Sequence, residues 1–291
     1  MNPAPALQAP SLERPVLPAM RVLLGAFAVL TALAFGSLFV LAPSTQRTFA
    51  WTIQPPLTAA FIGAGYGAGF LLVVLSLRVR SWAAVRVPIM TIFVFVVLTL
   101  AATLIHLDRL HFAREFAGLE VLAKGAAWVW FVVYLVIPVA MLVLLVAQER
   151  APGIDPPARH PVPPALRVAL AVESAVLFVV GVLLFVVPSS AATVWPWVLT
   201  PFTGRIIAAW LLAFAAATAL ASVAGDLERL RTAAIAYTAF GALVLVAVLR
   251  FPGTLDRGDL TAWLFVAVAV AVVATGGIGW RLAPAPGSSR D

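Results

Sequence analysis

A chain of 291 residues that is 63% hydrophobic and only 11% charged, with a mean hydropathy of +1.06, holds more apolar surface than a soluble fold of its size can hide, so lipid must solvate much of it. The formal net charge of +7 does not indicate a nucleic-acid binder, because the basic residues fall in short gaps between apolar runs instead of on one face with interleaved aromatics. The absence of cysteine excludes disulfides, thiolate catalysis and cysteine-ligated metal or iron–sulfur centres.

Residues 1–19, rich in proline and alanine, read as a cytoplasmic tail. The apolar run that follows, near 22–42, has Arg14 and Arg21 before it as a signal sequence would. It is about 20 residues long and lacks a small-x-small cleavage site, so it reads as a retained anchor. Further runs of spanning length lie near 57–77, 87–107, 125–147, 168–188, 206–224, 232–249 and 261–280. The expected fold class is an all-α integral membrane protein with eight transmembrane helices. If both termini are cytoplasmic, 12 of the 19 basic residues fall inside and 7 outside. The outer ones are largely balanced by Asp108, Glu115, Glu120, Asp256 and Asp259. This bias favours both ends in. Arginine outnumbers lysine 18 to 1, which suggests a GC-rich bacterial genome and hence an inner membrane.

The two halves echo one another. Arg21-Val-Leu-Leu answers Arg167-Val-Ala-Leu, and Trp51-Thr-Ile-Gln-Pro55 answers Trp197-Val-Leu-Thr-Pro201. Ser81–Arg86 answers Asp226–Arg231, Leu107-Asp-Arg109 answers Leu255-Asp-Arg257, and Ala127-Trp128 answers Ala262-Trp263. The order is kept, as a tandem duplication requires. The expected organisation is one membrane repeat over 20–147, a proline-rich cytoplasmic linker over 148–166, a second repeat over 167–281 and a tail over 282–291. A four-helix unit contains an even number of spans, so both copies face the same way, about a pseudo-two-fold axis along the membrane normal. In each copy the Trp-x-x-x-Pro loop reads as an interfacial anchor followed by a re-entry turn: Trp51 with Pro55, and Trp197 with Pro201.

Gly63-Ala-Gly-Tyr-Gly-Ala68 matches a dinucleotide fingerprint but sits inside a span with no carboxylate until Asp108, so the match is spurious. Gly63/Gly67 and Gly65/Gly69 are instead interleaved GxxxG pairs that admit a close helix neighbour, and Ala209, Ala213 and Ala215 supply small residues in the second half.

The third span closes on Leu-Ile-His-Leu-Asp-Arg-Leu-His, residues 104–111. On a continuous helix His106 and His111 project about 140° apart, so one helix cannot aim both at a single metal. The expected role of His106, Asp108 and His111 is a hydrogen-bonded helix end, with a metal or catalytic cluster as the lesser reading. Glu173 is the one carboxylate well inside a span. It is a candidate proton or substrate site, or else a buried lock partnered by Arg86, Arg231 or a neighbouring hydroxyl. It lies about 16 Å in depth from His106, too far to pair. Arg205 and Arg250, at the outer ends of their spans, either attract anions or snorkel to the interface. No zinc-protease, P-loop or K⁺-filter motif is present, and neither a metal nor a cofactor is expected. The partners expected are membrane lipids and either a membrane-protein partner or a second copy of the chain, with no nucleic acid. Three functions fit these residues: a transporter or permease for a small solute or lipid, a structural or accessory subunit, and a membrane enzyme built on the His106/Asp108/His111 cluster.

Overall fold

The computed structural model describes residues 13–284; residues 1–12 of the expected tail over 1–19, and 285–291 of the one over 282–291, lie outside them. Among the described residues eight helices are long and apolar enough to cross a membrane. They are α1 (Pro18–Phe35, continued by a π-helical turn Gly36–Val40), α2 (Pro56–Leu77), α3 (Trp82–Ile105), α4 (Val121–Glu149), α5 (Pro164–Val186), α6 (Pro201–Ala224), α7 (Leu227–Arg250) and α8 (Leu260–Leu282). In hydrocarbon a spanning backbone must satisfy its own N–H and C=O groups, which is why each apolar run becomes a helix. The protein is therefore a multi-pass membrane protein.

Start signals set the boundaries. Pro18, Pro56, Pro164 and Pro201 open α1, α2, α5 and α6, where a missing N–H costs nothing. It is Pro56 that takes the first helical position of α2, with Pro55 just outside. Asp226 and Asp259 cap α7 and α8 through the backbone N–H groups of Glu228 and Thr261. These prolines and caps add a turn that hydropathy alone does not register. α5 begins at Pro164, inside the expected linker, and α7 begins at Leu227.

Helix contacts run in two rows. In one, α1 packs on α2, α2 on α7, and α7 on α8; in the other, α4 packs on α3, α3 on α6, and α6 on α5. Each row thus takes two helices from each half of the chain. Between the rows α3 touches α7, whereas α2–α3 and α5–α8 meet only sparsely. The close approaches occur at small residues. A Cβ on Gly63 would fall 2.5 Å from the Phe39 backbone nitrogen in the π turn of α1, and one on Gly276 would fall 2.8 Å from Thr238 N on α7.

One end of the bundle carries the linker. There Val16 N–H donates to the Arg80 carbonyl and Trp82 N–H to Arg14; correspondingly, Val162 N–H donates to Gly225 and Leu227 N–H to His160. Glu149, at the end of α4, accepts from Arg14, Trp82 and Arg86. The opposite, loop end is sealed by aromatic side chains. Trp51 packs on Phe49, Trp130 and Phe202, while Trp197 packs on Trp195 and Phe265.

Candidate functional site

A cavity of about 150 Å³ lies between the two helix rows, and all eight helices contribute to its wall. Its lining comes from the middle of the bundle and the linker end: Thr31 and Gly69, Phe95 and Tyr134 in mid-span, then Leu166 and Leu227 in the first turns of α5 and α7. No charged side chain lines it. All three tyrosines of the protein, Tyr66, Tyr134 and Tyr237, do. Tyr66 and Tyr134 share a hydrogen bond of 2.6 Å between their hydroxyls, and Phe95 stacks on Trp210 at 3.9 Å. Gly65 makes room for that indole, since a Cβ there would lie 2.7 Å from the ring.

A largely apolar cavity of about 150 Å³ has room for a ligand the size of a single aromatic ring. The chemistry of this wall follows from its residues: aromatic faces and aliphatic groups offer dispersion, and a few hydroxyls offer orientation. Hydropathy singles out none of these residues. The usable signal is the depth of the tyrosines, which sit in mid-span and not in the interfacial belts where tyrosine usually collects.

The residues singled out in the sequence go to separate places. α3 ends at Ile105, and a 3-10 turn follows over Leu107–Arg109, so His106, Asp108 and His111 leave the helix in different directions. His106 Nε2 receives Arg205 Nη1 at 2.7 Å, and its ring lies against Phe202. Burial, and then the Arg205 guanidinium, hold its imidazole below the ordinary value. Asp108 pairs with Arg109 at 3.0 Å in solvent. His111 is buried: Nδ1–H donates to the Phe49 carbonyl at 2.9 Å, Nε2 meets Thr52 Oγ1 at 3.0 Å, and the backbone N–H donates to Ala50. These contacts hold the loop after α1 in place.

Arg205 and Arg250 are each bonded to backbone carbonyls. Arg205 Nε donates to the Phe185 carbonyl at 3.0 Å, while Arg250 donates to the carbonyls of Phe39 and, at 2.7 Å, Val40. Phe185 and Phe39 both sit at helix ends, where backbone carbonyls lack partners and a cation is favoured. Trp51 and Trp197 lie in the core, 3% and 6% exposed, so core packing replaces the expected interfacial anchoring. The Trp197 indole N–H donates to Thr58 at 2.7 Å.

Glu173 is half-buried on α5. It takes the hydroxyl alternative: Tyr237 Oη lies 3.2 Å away and Thr275 Oγ1 3.0 Å. Arg86 is engaged by Glu149 and Asp155, and Arg231 by the carbonyls of Ala283 and Pro284. Tyr237 and Thr275 line the cavity; Glu173 stands behind them.

Among the described residues the side chains that converge as three metal-type ligands are His160, Asp226 and Glu228, at the linker end. The sequence reading did not single out this trio. Asp226 is already committed to the N–H groups of Glu228 and Arg159, both at 2.9 Å, and has Arg229 at 3.8 Å. That is the pattern of a helix cap with charged neighbours. Comparison with family models, curated proteins and solved structures finds no match.

Proposed function

We propose that the protein is a membrane carrier for a small hydrophobic molecule, which it binds in the cavity between its helix rows. The observation that carries this reading is the wall itself: every helix contributes, the lining is aromatic and aliphatic, and it extends to the linker end while aromatics fill the loop end. A cup closed on one side is what alternating access requires of one of its states. An apolar wall favours an apolar or amphipathic substrate over an ion or a sugar.

We read the carrier as two copies of a four-helix unit in a bacterial inner membrane, with both termini and the linker in the cytoplasm. Several observations support the duplication. Exchanging α1–α4 with α5–α8 maps the main helix contacts onto one another: α1–α2 becomes α5–α6, α3–α4 becomes α7–α8, and α2–α7 becomes α6–α3. The backbone bridges Pro15–Ser81 and Pro161–Asp226 also correspond.

The accessory-subunit reading draws on a different observation. His111, Arg205 and Arg250 are all engaged in holding loops and helix ends, as a scaffold would need. The enzyme reading loses support, because His106, Asp108 and His111 have separate partners.

A brominated benzene, a heavy-atom quencher of indole fluorescence, separates carrier from scaffold in nanodiscs. The carrier reading predicts saturable quenching of the part of the emission that Trp210→Phe removes, and loss of that quenching in Ala217→Phe, which fills the cavity. Quenching that rises linearly, equally in both variants, would reflect lipid partitioning alone and favour the scaffold.

A further inference from the structure

Glu173 faces two hydroxyl groups. Thr275 Oγ1 lies 3.0 and 3.1 Å from the two Glu173 oxygens and 2.9 Å from the Ala271 carbonyl oxygen. A hydroxyl has one hydrogen, and a carbonyl can only accept. The Thr275 hydroxyl can give its hydrogen either to a Glu173 oxygen or to Ala271; where it goes to Ala271, the contact with Glu173 needs a hydrogen from the carboxyl itself. Tyr237 Oη, 3.2 Å from Oε2, supplies one more. A protonated Glu173 can donate to Thr275, leave the Thr275 hydrogen to Ala271 and accept from Tyr237; an ionised one can only accept.

The charged surroundings agree. Among the described residues no ion pair involves Glu173. On α5 the other charged residue is Arg167, six positions earlier and about 9 Å along the axis. α6 packs on α5 beside Glu173, where Ser174 donates to Ala215, and its charged residue is Arg205 at the far end. α7 presents Tyr237; its Glu228, Arg229 and Arg231 are at the linker end and Arg250 at the loop end. α8 presents Thr275 and carries Arg281 in its last turn.

We propose that Glu173 is a proton-exchange site that latches α5 to α7 and α8 when protonated and frees the α5–α8 seam when it ionises. These two helices otherwise touch little. Leu166 and Leu170 on one side of the seam, and Gly276 and Gly279 on the other, line the cavity, so parting them opens its wall. The proton site stands on the contacts above; its link to the cavity rests on the carrier reading. An ionised carboxylate facing hydrocarbon seeks water or a cation, which supplies the force for parting. For a carrier, this would make the proton the coupling ion.

Infrared difference spectra of wild type minus Glu173→Gln, in nanodiscs at about pH 7, test the proton. The expected result is a protonated-carboxyl C=O band in wild type that shifts in Tyr237→Phe, a variant that keeps the carboxyl and removes one of its donors. A difference spectrum showing ionised carboxylate instead overturns the proposal. The seam is tested by labelling Leu170→Cys with a small neutral maleimide across a pH series from about 5 to about 9. Dividing by the rate in the Leu170→Cys/Glu173→Gln double variant removes the reactivity of the thiolate itself. The latch predicts a ratio that rises at least about threefold as the carboxyl ionises. A ratio that stays flat overturns the latch; if Trp210 is still quenched, the carrier reading survives that failure.

Discussion

His111 is bonded through both ring nitrogens and its backbone N–H, and no part of it reaches solvent. Replacing it with alanine strands the buried Phe49 carbonyl, a loss of about 1–3 kcal/mol. Thermal unfolding of His111→Ala in nanodiscs should show this as a lower midpoint. The pH dependence has a definite sign. Burial keeps the imidazole below the ordinary 6.5, so as pH falls the unfolded chain takes up the proton first. The stability contributed by the neutral ring is complete above about pH 6.5 and declines below it. Wild type should therefore lose more stability than His111→Ala between pH 7.5 and 5. Equal losses would place the acid sensitivity elsewhere. The residue types near the end of α3 were plain in the sequence, but their partners were not: His106 finds Arg205 across 99 positions and His111 finds Phe49 across 62.

At the scale of elements, α2 illustrates how a spacing can be legible while its meaning is not. Gly63, Gly65, Gly67 and Gly69 all suit close packing, yet they face different things. Gly63 meets the α1 backbone, Gly65 the Trp210 ring and Gly67 the Phe35 ring, while Gly69 has nothing nearer than 3.8 Å. Gly63→Ala must push the π turn of α1 away and should cost about 1–3 kcal/mol by overpacking. Gly69→Ala should be nearly neutral. Paired thermal melts of the two variants check this, and equal effects would contradict the asymmetry. The π turn itself, Gly36–Val40, carries no sequence signal, because it arises where α1 bends against α2 and Arg250 takes its last carbonyls. Helix starts were less legible than helix ends, because hydropathy does not register an opening proline or cap: α1, α5, α6 and α7 each begin about a turn before the expected runs.

For the whole molecule, the sidedness proposed from the arginines can be tested directly, because the chain has no cysteine. With both termini cytoplasmic, Gly258→Cys on the loop end should react with an impermeant maleimide added to intact cells. Ala158→Cys in the linker should react only after the membrane is opened. The reverse pattern would invert the topology. If the loop end does face out, the aromatic packing around Trp51 and Trp197 lies on the outer side of the cavity.

The sequence by itself determined the eight spans, most of their boundaries and the short list of polar residues within them, because hydropathy, proline and charge act over a single turn or a single bilayer crossing. It also held the echo between the halves, which is a matter of order along one chain. Only the tertiary structure decided that the helices pair across the halves in two rows, that the three tyrosines and Trp210 surround one apolar space, and that Glu173 turns to hydroxyls and not to an arginine. Those outcomes depend on which helix faces which. In lipid, packing and polar satisfaction between distant segments settle that choice, whereas hydrophobicity, nearly uniform along every span, does not distinguish one face from another.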